Sequence, residues 1–237
     1  MERGDKKAIV LGATGLVGRL LTLNLLEDER YSEVRILTRN PFGLKHSRLT
    51  ETRADLLALQ DFKAVFKGDV VFCCVGTTKA KTPDEKDYRA IDYGIPVEAS
   101  RLCKENEIPT LIVVSALGAN PGSPFFYNRI KGEMETAVLQ SGVPHIYVLQ
   151  PSLIGGSRDE TRRGERMAQR IMHFLDPLWV GPMRKYRMID AADIADAMIY
   201  LSDHPQEIPR IPSDQILRLA EARKLEIQDN PIRNDRN

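Results

Sequence analysis

Short apolar runs alternate along the chain with longer stretches in which apolar residues recur at helical spacing. The apolar runs predict strands at Ala8–Leu11, Val34–Thr38, Val70–Val75, Thr110–Ser115 and His145–Gln150. The helical spacing predicts helices at Leu16–Leu26, Pro83–Asn106 and Phe125–Gln140, and an edge strand near Leu49–Asp55 followed by a helix to Phe66. Strands that alternate with helices are typical of βαβ units, so we expect an α/β fold with a doubly wound parallel sheet and helices on both faces.

The pattern loosens after Pro151, where a polar, arginine-rich stretch begins. Helical spacing returns at Arg162–Phe174 and at Ala191–Leu201. Asp190 is placed to cap the second of these helices, the alternative being that Asp190, like Asp92, supports the active site. A capped helix is expected from Ser213, and a charged, flexible tail over Glu226–Asn237. The prediction is one domain over residues 1–237, with a core at 6–150 and a small C-terminal substrate-side region at 151–225.

Composition narrows the classes of function. The chain has 237 residues, of which 42% are hydrophobic and 28% charged, with a formal net charge of +1. These values are typical of a globular protein and argue against a strong nucleic-acid or membrane field. No secretory signal and no apolar run of the ~18 residues that a membrane helix needs are found, so we expect a cytoplasmic protein with a small-molecule substrate, and leave its oligomeric state open.

Cysteine and histidine give no indication of a metal site. The three cysteines are Cys73, Cys74 and Cys103, too few and too unevenly spaced for a disulfide framework or a metal cluster. The adjacent pair is interpreted as small apolar residues of a buried strand. The four histidines are scattered over different predicted elements, so no metal is expected.

A glycine-rich turn directly follows the first strand. Gly12, Gly15 and Gly18 have the spacing G-x-x-G-x-x-G and lead into the first helix. A dinucleotide pyrophosphate needs a tight turn, a close backbone approach and a helix N-terminus that favours anions. The turn therefore predicts a Rossmann-like NAD(P)-binding fold, with a glycine-rich turn that binds no ligand as the alternative.

The end of the second strand bears on the choice of dinucleotide. An NAD site places a carboxylate there for the ribose 2′-hydroxyl, whereas an NADP site places a cation there for the 2′-phosphate. The strand ends in Leu37-Thr38-Arg39-Asn40. Arg39 therefore favours NADP(H), the alternative being a solvated surface arginine.

A tyrosine and a lysine lie four residues apart at the start of the third predicted helix. Tyr127 and Lys131 share one helix face, and the ammonium is expected to lower the phenol pKa toward the working range of an acid/base group. Ser115 ends a strand twelve residues before Tyr127 and is a candidate hydrogen-bond partner for the same substrate oxygen. The alternative is that these are ordinary helix-face residues.

Together these motifs resemble atypical short-chain dehydrogenases/reductases, and most closely the Tat-interacting-protein-like oxidoreductases, with a general similarity to NmrA-like proteins. The resemblance extends from about Ala8 to Tyr200. It rests on Leu11–Gly18, Phe72-Cys-Cys-Val-Gly-Thr-Thr78, Ser115 with Tyr127-x-x-x-Lys131-Gly-Glu, Gln150-Pro151 and Arg162-Arg-Gly-Glu165. The sequence departs from the pattern at Gln150, where relatives often have Arg, and at Ala116, where a second Ser is common.

The resemblance implies a role for each site residue. Tyr127 would be the proton donor or acceptor, while Lys131 would bind the nicotinamide ribose and tune Tyr127. The remaining implied contacts are Thr14, Gly15, Leu16 and Val17 with the pyrophosphate, Arg39 and Asn40 with the 2′-phosphate, Val75 and Gly76 with the adenosine, Asp55 with the adenine, and Pro151 to Ile154 with Arg162 at the nicotinamide end.

The function expected from the sequence is an NADP(H)-dependent oxidoreductase of the short-chain dehydrogenase/reductase type acting on a small carbonyl/alcohol pair. The alternative is an NADP(H)-binding regulator or sensor without turnover, and the fold alone does not separate the two. The arginine stretch Arg158–Arg166 is open to two interpretations, an anion-attracting surface or a solvated helix face.

Overall fold

A twisted sheet of seven parallel strands forms the centre of the protein. The computed structural model describes residues 4–155 and 188–229. The strands are β1 Lys6–Leu11, β2 Tyr31–Thr38, β3 Leu49–Arg53, β4 Val70–Cys73, β5 Thr110–Val114, β6 His145–Gln150 and β9 Arg210–Pro212. They lie in the order β3-β2-β1-β4-β5-β6-β9, and each neighbouring pair is parallel. A separate two-stranded ribbon pairs β7 (Ile154–Gly155) with β8 (Ile189–Asp190).

Helices cover both faces of this sheet. On one side lie α1 (Leu16–Glu27), α5 (Ala191–Leu201) and α6 (Ser213–Asp229). On the other side lie a 3₁₀ segment (Leu56–Val65), α2 (Glu85–Arg89), α3 (Ile95–Glu105) and α4 (Phe126–Leu139), with a single π turn (Ala90–Gly94) between α2 and α3.

The alternation of side chains along β1 explains why two apolar layers form. Ala8 and Val10 pack into the layer that contains α1, whereas Ile9 and Leu11 pack into the layer that contains α3 and α4. Successive strand residues point to opposite faces, and a parallel sheet covered on both sides therefore needs continuous apolar runs. The same arrangement buries Cys73 and Cys103 with the second layer, while Cys74 is half-buried with its Sγ 3.8 Å from Met198 Sδ.

The fold class and the predicted core strands are confirmed, with differences at element ends. β4 ends at Cys73 rather than Val75, and β5 ends at Val114, although the Ser115 N–H still bonds the Leu149 carbonyl at 2.7 Å. The predicted crossover helix Pro83–Asn106 is interrupted by the π turn. The helix expected before Phe66 is a 3₁₀ segment kinked at Ala58, where φ is −112° and ψ is 39°.

The C-terminal part needs one correction. The tail expected from Glu226 is helical as far as Asp229, because α6 continues there, and Glu226 Oε1 lies 3.0 Å from His204 Nε2. Asp190 caps α5 as predicted, accepting the Ala192 N–H at 3.0 Å. The predicted helix Arg162–Phe174, and with it Arg162 and the rest of the arginine stretch, lies outside the described residues. Among the helices that are described, none has the length and apolarity needed to span a bilayer.

Candidate active site

The predicted site residues lie where the parallel strands end at a common edge. In the strand order, β1 and β4 lie side by side, and the strands that follow each of them are added on opposite sides. An open α/β sheet leaves a crevice for ligands at the point where the strand order reverses in this way. The loops after β1, β2, β3, β4, β5 and β6 carry the predicted residues Gly12, Arg39, Asp55, Gly76, Ser115 and Pro151 respectively.

The β1–α1 turn has no room for side chains at two of its glycines. Gly12 has φ +80°, and a Cβ there would lie 2.8 Å from the Cys74 carbonyl oxygen. A Cβ on Gly18 would lie 2.2 Å from the Gly12 carbonyl oxygen. Gly15 begins α1 with an extended backbone and no side-chain cap, and no acidic residue occupies the first turn of the helix. The start of α1 is therefore a site that favours an anion, with Thr14 exposed, Leu16 half-buried and Val17 buried around it.

Two arginines flank the loop after β2. Arg39 and Asn40 are exposed, and within residues 4–155 and 188–229 the Arg39 side chain forms no hydrogen bond or ion pair. Arg19, in the first turn of α1, donates from Nη1 to the Phe42 carbonyl at 3.3 Å and stacks its guanidinium 5.1 Å from the Phe42 ring centroid. Both guanidinium groups therefore border the end of β2, where positive charge was expected from Arg39 alone.

The loops after β3 and β4 carry the residues predicted to contact the adenosine. Asp55 caps the 3₁₀ segment by accepting the Leu57 N–H at 3.1 Å, so its carboxylate has a structural partner besides the predicted adenine contact. Val75 is half-buried and Gly76 is exposed. A Cβ on Gly76 would lie 3.5 Å from Asp92 Oδ1 and 3.8 Å from Lys131 Nζ, so this loop lies directly over the lysine.

The Tyr127/Lys131 pair lies in the first turns of α4. The Tyr127 side chain reaches the surface with 42% exposure, whereas the Lys131 side chain is only 4% exposed. Lys131 Nζ lies 2.9 Å from Asp92 Oδ1 in an ion pair whose carboxylate is 1% exposed. Asp92 belongs to the π turn, and its Oδ2 accepts the Thr77 N–H at 2.8 Å.

This ion pair changes the expected acidity of the site. Burial alone would lower the pKa of Lys131, but the Asp92 carboxylate raises it above its usual value. Burial raises the pKa of Tyr127, and the lowering by Lys131 is opposed by Asp92. Lys131 lowers the pKa of Tyr127 as expected, but burial, which has the largest effect, and the Asp92 carboxylate together leave that pKa above its usual value. The spacing of Tyr127 and Lys131 on one helix face does not report on either of these two effects.

Ser115 belongs to a different polar cluster. Its hydroxyl donates to Glu135 Oε1 at 2.6 Å, and Glu135 lies one helical turn after Lys131 in the interior. The same carboxylate accepts two bonds of 3.0 Å from Gln150 Nε2 and one of 2.9 Å from Arg210 Nε. Gln150 therefore contacts the buried carboxylate directly, and β9 supplies the cation. Within the described residues, no hydrogen bond joins Ser115 to Tyr127 or Lys131.

Comparison with known proteins decides the family. A model described as NAD(P)H-binding matches residues 12–205. The chain belongs to the NAD(P)H-binding family. "Protein FMP52, mitochondrial" of Candida albicans is 32% identical over 196 residues, covering 80% of this chain and 85% of the relative. "Protein HTATIP2" of Rattus norvegicus is 27% identical over 179 residues, covering 74% of each chain.

Solved structures support the fold of this NAD(P)H-binding protein. The ADP-L-glycero-D-manno-heptose-6-epimerase of Helicobacter pylori superposes with a TM-score of 0.67 at 13% identity, covering 94% of this chain and 83% of that one. The enzyme WbmG of Bordetella bronchiseptica, solved in complex with NAD, superposes with a TM-score of 0.66 at 14% identity, covering 98% and 81%. At these identities the similarity establishes the Rossmann-like architecture.

The comparison also corrects the expected location. Several relatives from yeasts and from Aspergillus terreus are named mitochondrial, which contradicts the cytoplasmic location expected from the sequence. The expectation was wrong because the lack of a secretory signal or a membrane-spanning run excludes only those two destinations, and neither feature reports on mitochondria.

Two arginines of the candidate site were not predicted from the sequence. Arg19 follows the third glycine of the turn, and that position in the first turn of a helix beside β2 was a usable signal. Arg210 could not be identified from the sequence, because it lies in a three-residue strand and contacts Glu135 across 75 positions of the chain.

Two predicted residues lie at and just after the end of β6. Pro151 is buried, and its carbonyl accepts the Leu117 N–H at 2.8 Å, while Ile154 pairs with Ile189 in the two-stranded ribbon.

Proposed function

We propose that this chain is an NADP(H)-dependent oxidoreductase of the short-chain dehydrogenase/reductase type that acts on a small carbonyl or alcohol. The observation that carries the proposal is the Tyr127/Lys131 pair on α4, at the same edge of the sheet as the glycine turn. A protein that only binds a dinucleotide has no chemical need for a tyrosine and a lysine spaced to act on one substrate oxygen.

The residues present fit a dinucleotide. The uncapped start of α1, without acidic residues in its first turn, suits a pyrophosphate. Gly12 and Gly18 allow the backbone to turn tightly enough to present these N–H groups. We assign Thr14, Gly15, Leu16 and Val17 to the pyrophosphate, and Val75, Gly76 and Asp55 to the adenosine end.

When bound, the nicotinamide supplies the hydride or accepts it. Tyr127 is the group that exchanges a proton with the substrate oxygen, since the residue lies at the surface while its helix α4 packs against the core. Lys131 orients the ribose from beneath the site. Pro151 to Ile154 border the nicotinamide end. Ser115 enters this scheme as a hydrogen-bond partner of the substrate oxygen only if its bond to Glu135 is exchanged.

The preference for NADP(H) rests on the positive charge at the end of β2. Arg39 has no internal partner among the described residues and is available to a ligand phosphate, and Arg19 lies beside the same loop. A charge-assisted guanidinium–phosphate contact contributes ~1.5–3 kcal/mol, and ~1.4 kcal/mol is a tenfold change in affinity. We therefore expect the wild type to bind NADPH about ten- to a hundredfold more tightly than NADH.

Replacing Arg39 with Asp tests this preference. Arg39→Asp is expected to lose most NADPH affinity through like-charge repulsion and to gain some NADH affinity, because a carboxylate accepts a bond from a free 2′-hydroxyl. Lys45→Asp makes the same charge change at an exposed position of the same loop and should leave the NADPH/NADH ratio unchanged. Fluorescence titration of both cofactors measures the ratios. Equal wild-type affinities, or an unchanged ratio in Arg39→Asp, would show that Arg39 does not select the cofactor.

One observation favours a second function, a sensor that binds NADP(H) without turnover. The Ser115 hydroxyl, expected to bind the substrate oxygen, instead donates to the buried Glu135 carboxylate. A site without that serine contact retains dinucleotide binding but has fewer groups for chemistry. The Tyr127→Phe variant distinguishes the two functions, because an enzyme needs the Tyr127 hydroxyl for turnover and a sensor does not.

We also propose a mitochondrial location, based on the relatives named mitochondrial. Fractionation of cells that express the tagged chain should recover it with a mitochondrial matrix or membrane marker. Recovery in the cytosolic fraction alone would contradict this proposal without affecting the proposed chemistry.

A further inference from the structure

A buried ion pair lies beneath the loop that follows β4. Lys131 Nζ and Asp92 Oδ1 are 2.9 Å apart, with side-chain exposures of 4% and 1%. The second oxygen of Asp92 accepts the Thr77 N–H at 2.8 Å, so the carboxylate is fixed from the cofactor-side loop and from α4 at once. Asp92 is presented by the π turn, a rare element that is found frequently at functional sites.

The charge of this pair reaches the Tyr127 hydroxyl. A nearby ammonium favours a phenolate and a nearby carboxylate opposes it, and both effects are strong where water is excluded. Among the described residues, the titratable groups around Tyr127 and its ion pair are Lys131 on α4, Asp92 in the π turn, Tyr88 on α2 and Cys73 at the end of β4.

Among the described residues around Tyr127, the ion pair alone is charged near neutral pH. Burial raises the pKa of Cys73 to about 11, and burial also raises the pKa of Tyr88 above its usual value. Both groups are therefore uncharged at physiological pH. In the described part of the chain, the charges that act on Tyr127 are then one ammonium and one carboxylate in contact with each other.

We propose that Asp92 is a positioning residue that holds Lys131 and cancels its charge, so that Tyr127 keeps its proton and is present as the acid that carbonyl reduction needs. The inference rests on the proposed function. It assigns a role to the π turn and a protonation state to Tyr127.

The proton and electrons balance when Tyr127 acts as the acid of a reduction. A bound reduced nicotinamide would supply the hydride to the carbonyl carbon, and the electron pair of the C=O π bond would move to the oxygen. The oxygen takes the hydroxyl proton of Tyr127, and the alcohol forms. The Tyr127 phenolate regains a proton from solvent, which its exposed position allows.

Titration of Tyr127 in the full chain tests the proposal. Tyrosinate absorbance is followed against pH, and the Tyr127→Phe curve is subtracted so that the other six of the seven tyrosines cancel. Asp92→Asn removes the carboxylate charge and leaves Lys131, so the Tyr127 midpoint should fall by about one to three pH units. The double variant Asp92→Asn/Lys131→Gln removes both charges and should titrate close to the wild type.

Control variants separate charge from general disturbance. Asp87→Asn makes the same chemical change on an exposed side chain of α2 and should leave the midpoint in place. Asp92→Ser removes the charge with a smaller side chain and repeats the test if Asp92→Asn does not fold. If the Tyr127 midpoint falls in Asp92→Asn and falls equally in Asp92→Asn/Lys131→Gln, charge cancellation is wrong. It is also wrong if the midpoint in Asp92→Asn does not move.

Cofactor binding and the pH profile distinguish the inference from the function on which it rests. If the wild type fails to bind NADPH, the proposed function fails, whatever the tyrosine titration shows. If NADPH binds but the Asp92→Asn midpoint does not move, only the role of Asp92 is wrong. With a carbonyl substrate, the upper limb of the reduction-rate profile should shift in Asp92→Asn by as many pH units as the absorbance midpoint, and an unshifted limb contradicts the proposal.

Discussion

Tyr127→Phe is expected to lower turnover by ~10²-fold or more while changing NADPH affinity by no more than a few fold, since losing a positioned acid/base group has an effect of this size. The substitution removes only the hydroxyl, and the aromatic ring stays on α4. Steady-state rates with a panel of small carbonyl compounds and NADPH, beside a fluorescence titration of NADPH, separate the two effects.

The matched control is Tyr200→Phe. Tyr200 lies in α5, on the opposite face of the sheet, where its ring stacks on His204 at 4.0 Å between centroids. Turnover should be unchanged there, although the same atom has been removed. Wild-type turnover in Tyr127→Phe would refute the assigned proton transfer, and a complete lack of turnover in the wild type with intact NADPH binding would favour the sensor.

Gly15→Val is expected to lower dinucleotide affinity by ~10²-fold or more. Its branched side chain would occupy the start of α1, where the pyrophosphate approaches the backbone. Two lost charge-assisted contacts at ~1.5–3 kcal/mol each correspond to at least this factor. The backbone at Gly15, with φ −78° and ψ 172°, accepts any residue, and a Cβ would lie 3.2 Å from the Gly12 carbonyl oxygen, so the fold should largely survive.

Calorimetry with NADPH and NADH measures this loss, and circular dichroism checks that the variant is folded. Gly122→Val is the matched control, because Gly122 is an exposed glycine in the loop after β5. A Cβ there would meet only the Asn120 side chain, at 3.4 Å, and affinity should be unchanged. Unchanged binding by folded Gly15→Val would exclude the β1–α1 turn as the cofactor site.

The sequence was sufficient for those features whose physical signal is local. The apolar runs located the core strands because a sheet covered on both faces needs them, and the glycine spacing located the turn because its sterics depend on a few adjacent residues. The helical spacing of Tyr127 and Lys131 likewise follows from helix geometry alone. These elements could be predicted from neighbouring positions.

The features that escaped prediction depend on contacts between distant parts of the chain. The net rise in the pKa of Tyr127 comes from burial and from Asp92, which contacts Lys131 only after the chain has folded. The partner of Ser115 is Glu135 on another element, and β9 has only three residues, too few for a recognisable pattern. The π turn could not be predicted either, because its residues are also compatible with an ordinary α-helix.

The most direct test of the central claim is an experimental structure with NADPH bound. We expect the pyrophosphate at the start of α1, the 2′-phosphate beside Arg39, and the nicotinamide C4 facing the Tyr127 hydroxyl across an open space in which a carbonyl can lie ~3–3.5 Å from each reacting atom. A nicotinamide bound elsewhere, or one whose C4 is covered by protein so that no substrate can approach Tyr127, would contradict an oxidoreductase at this site.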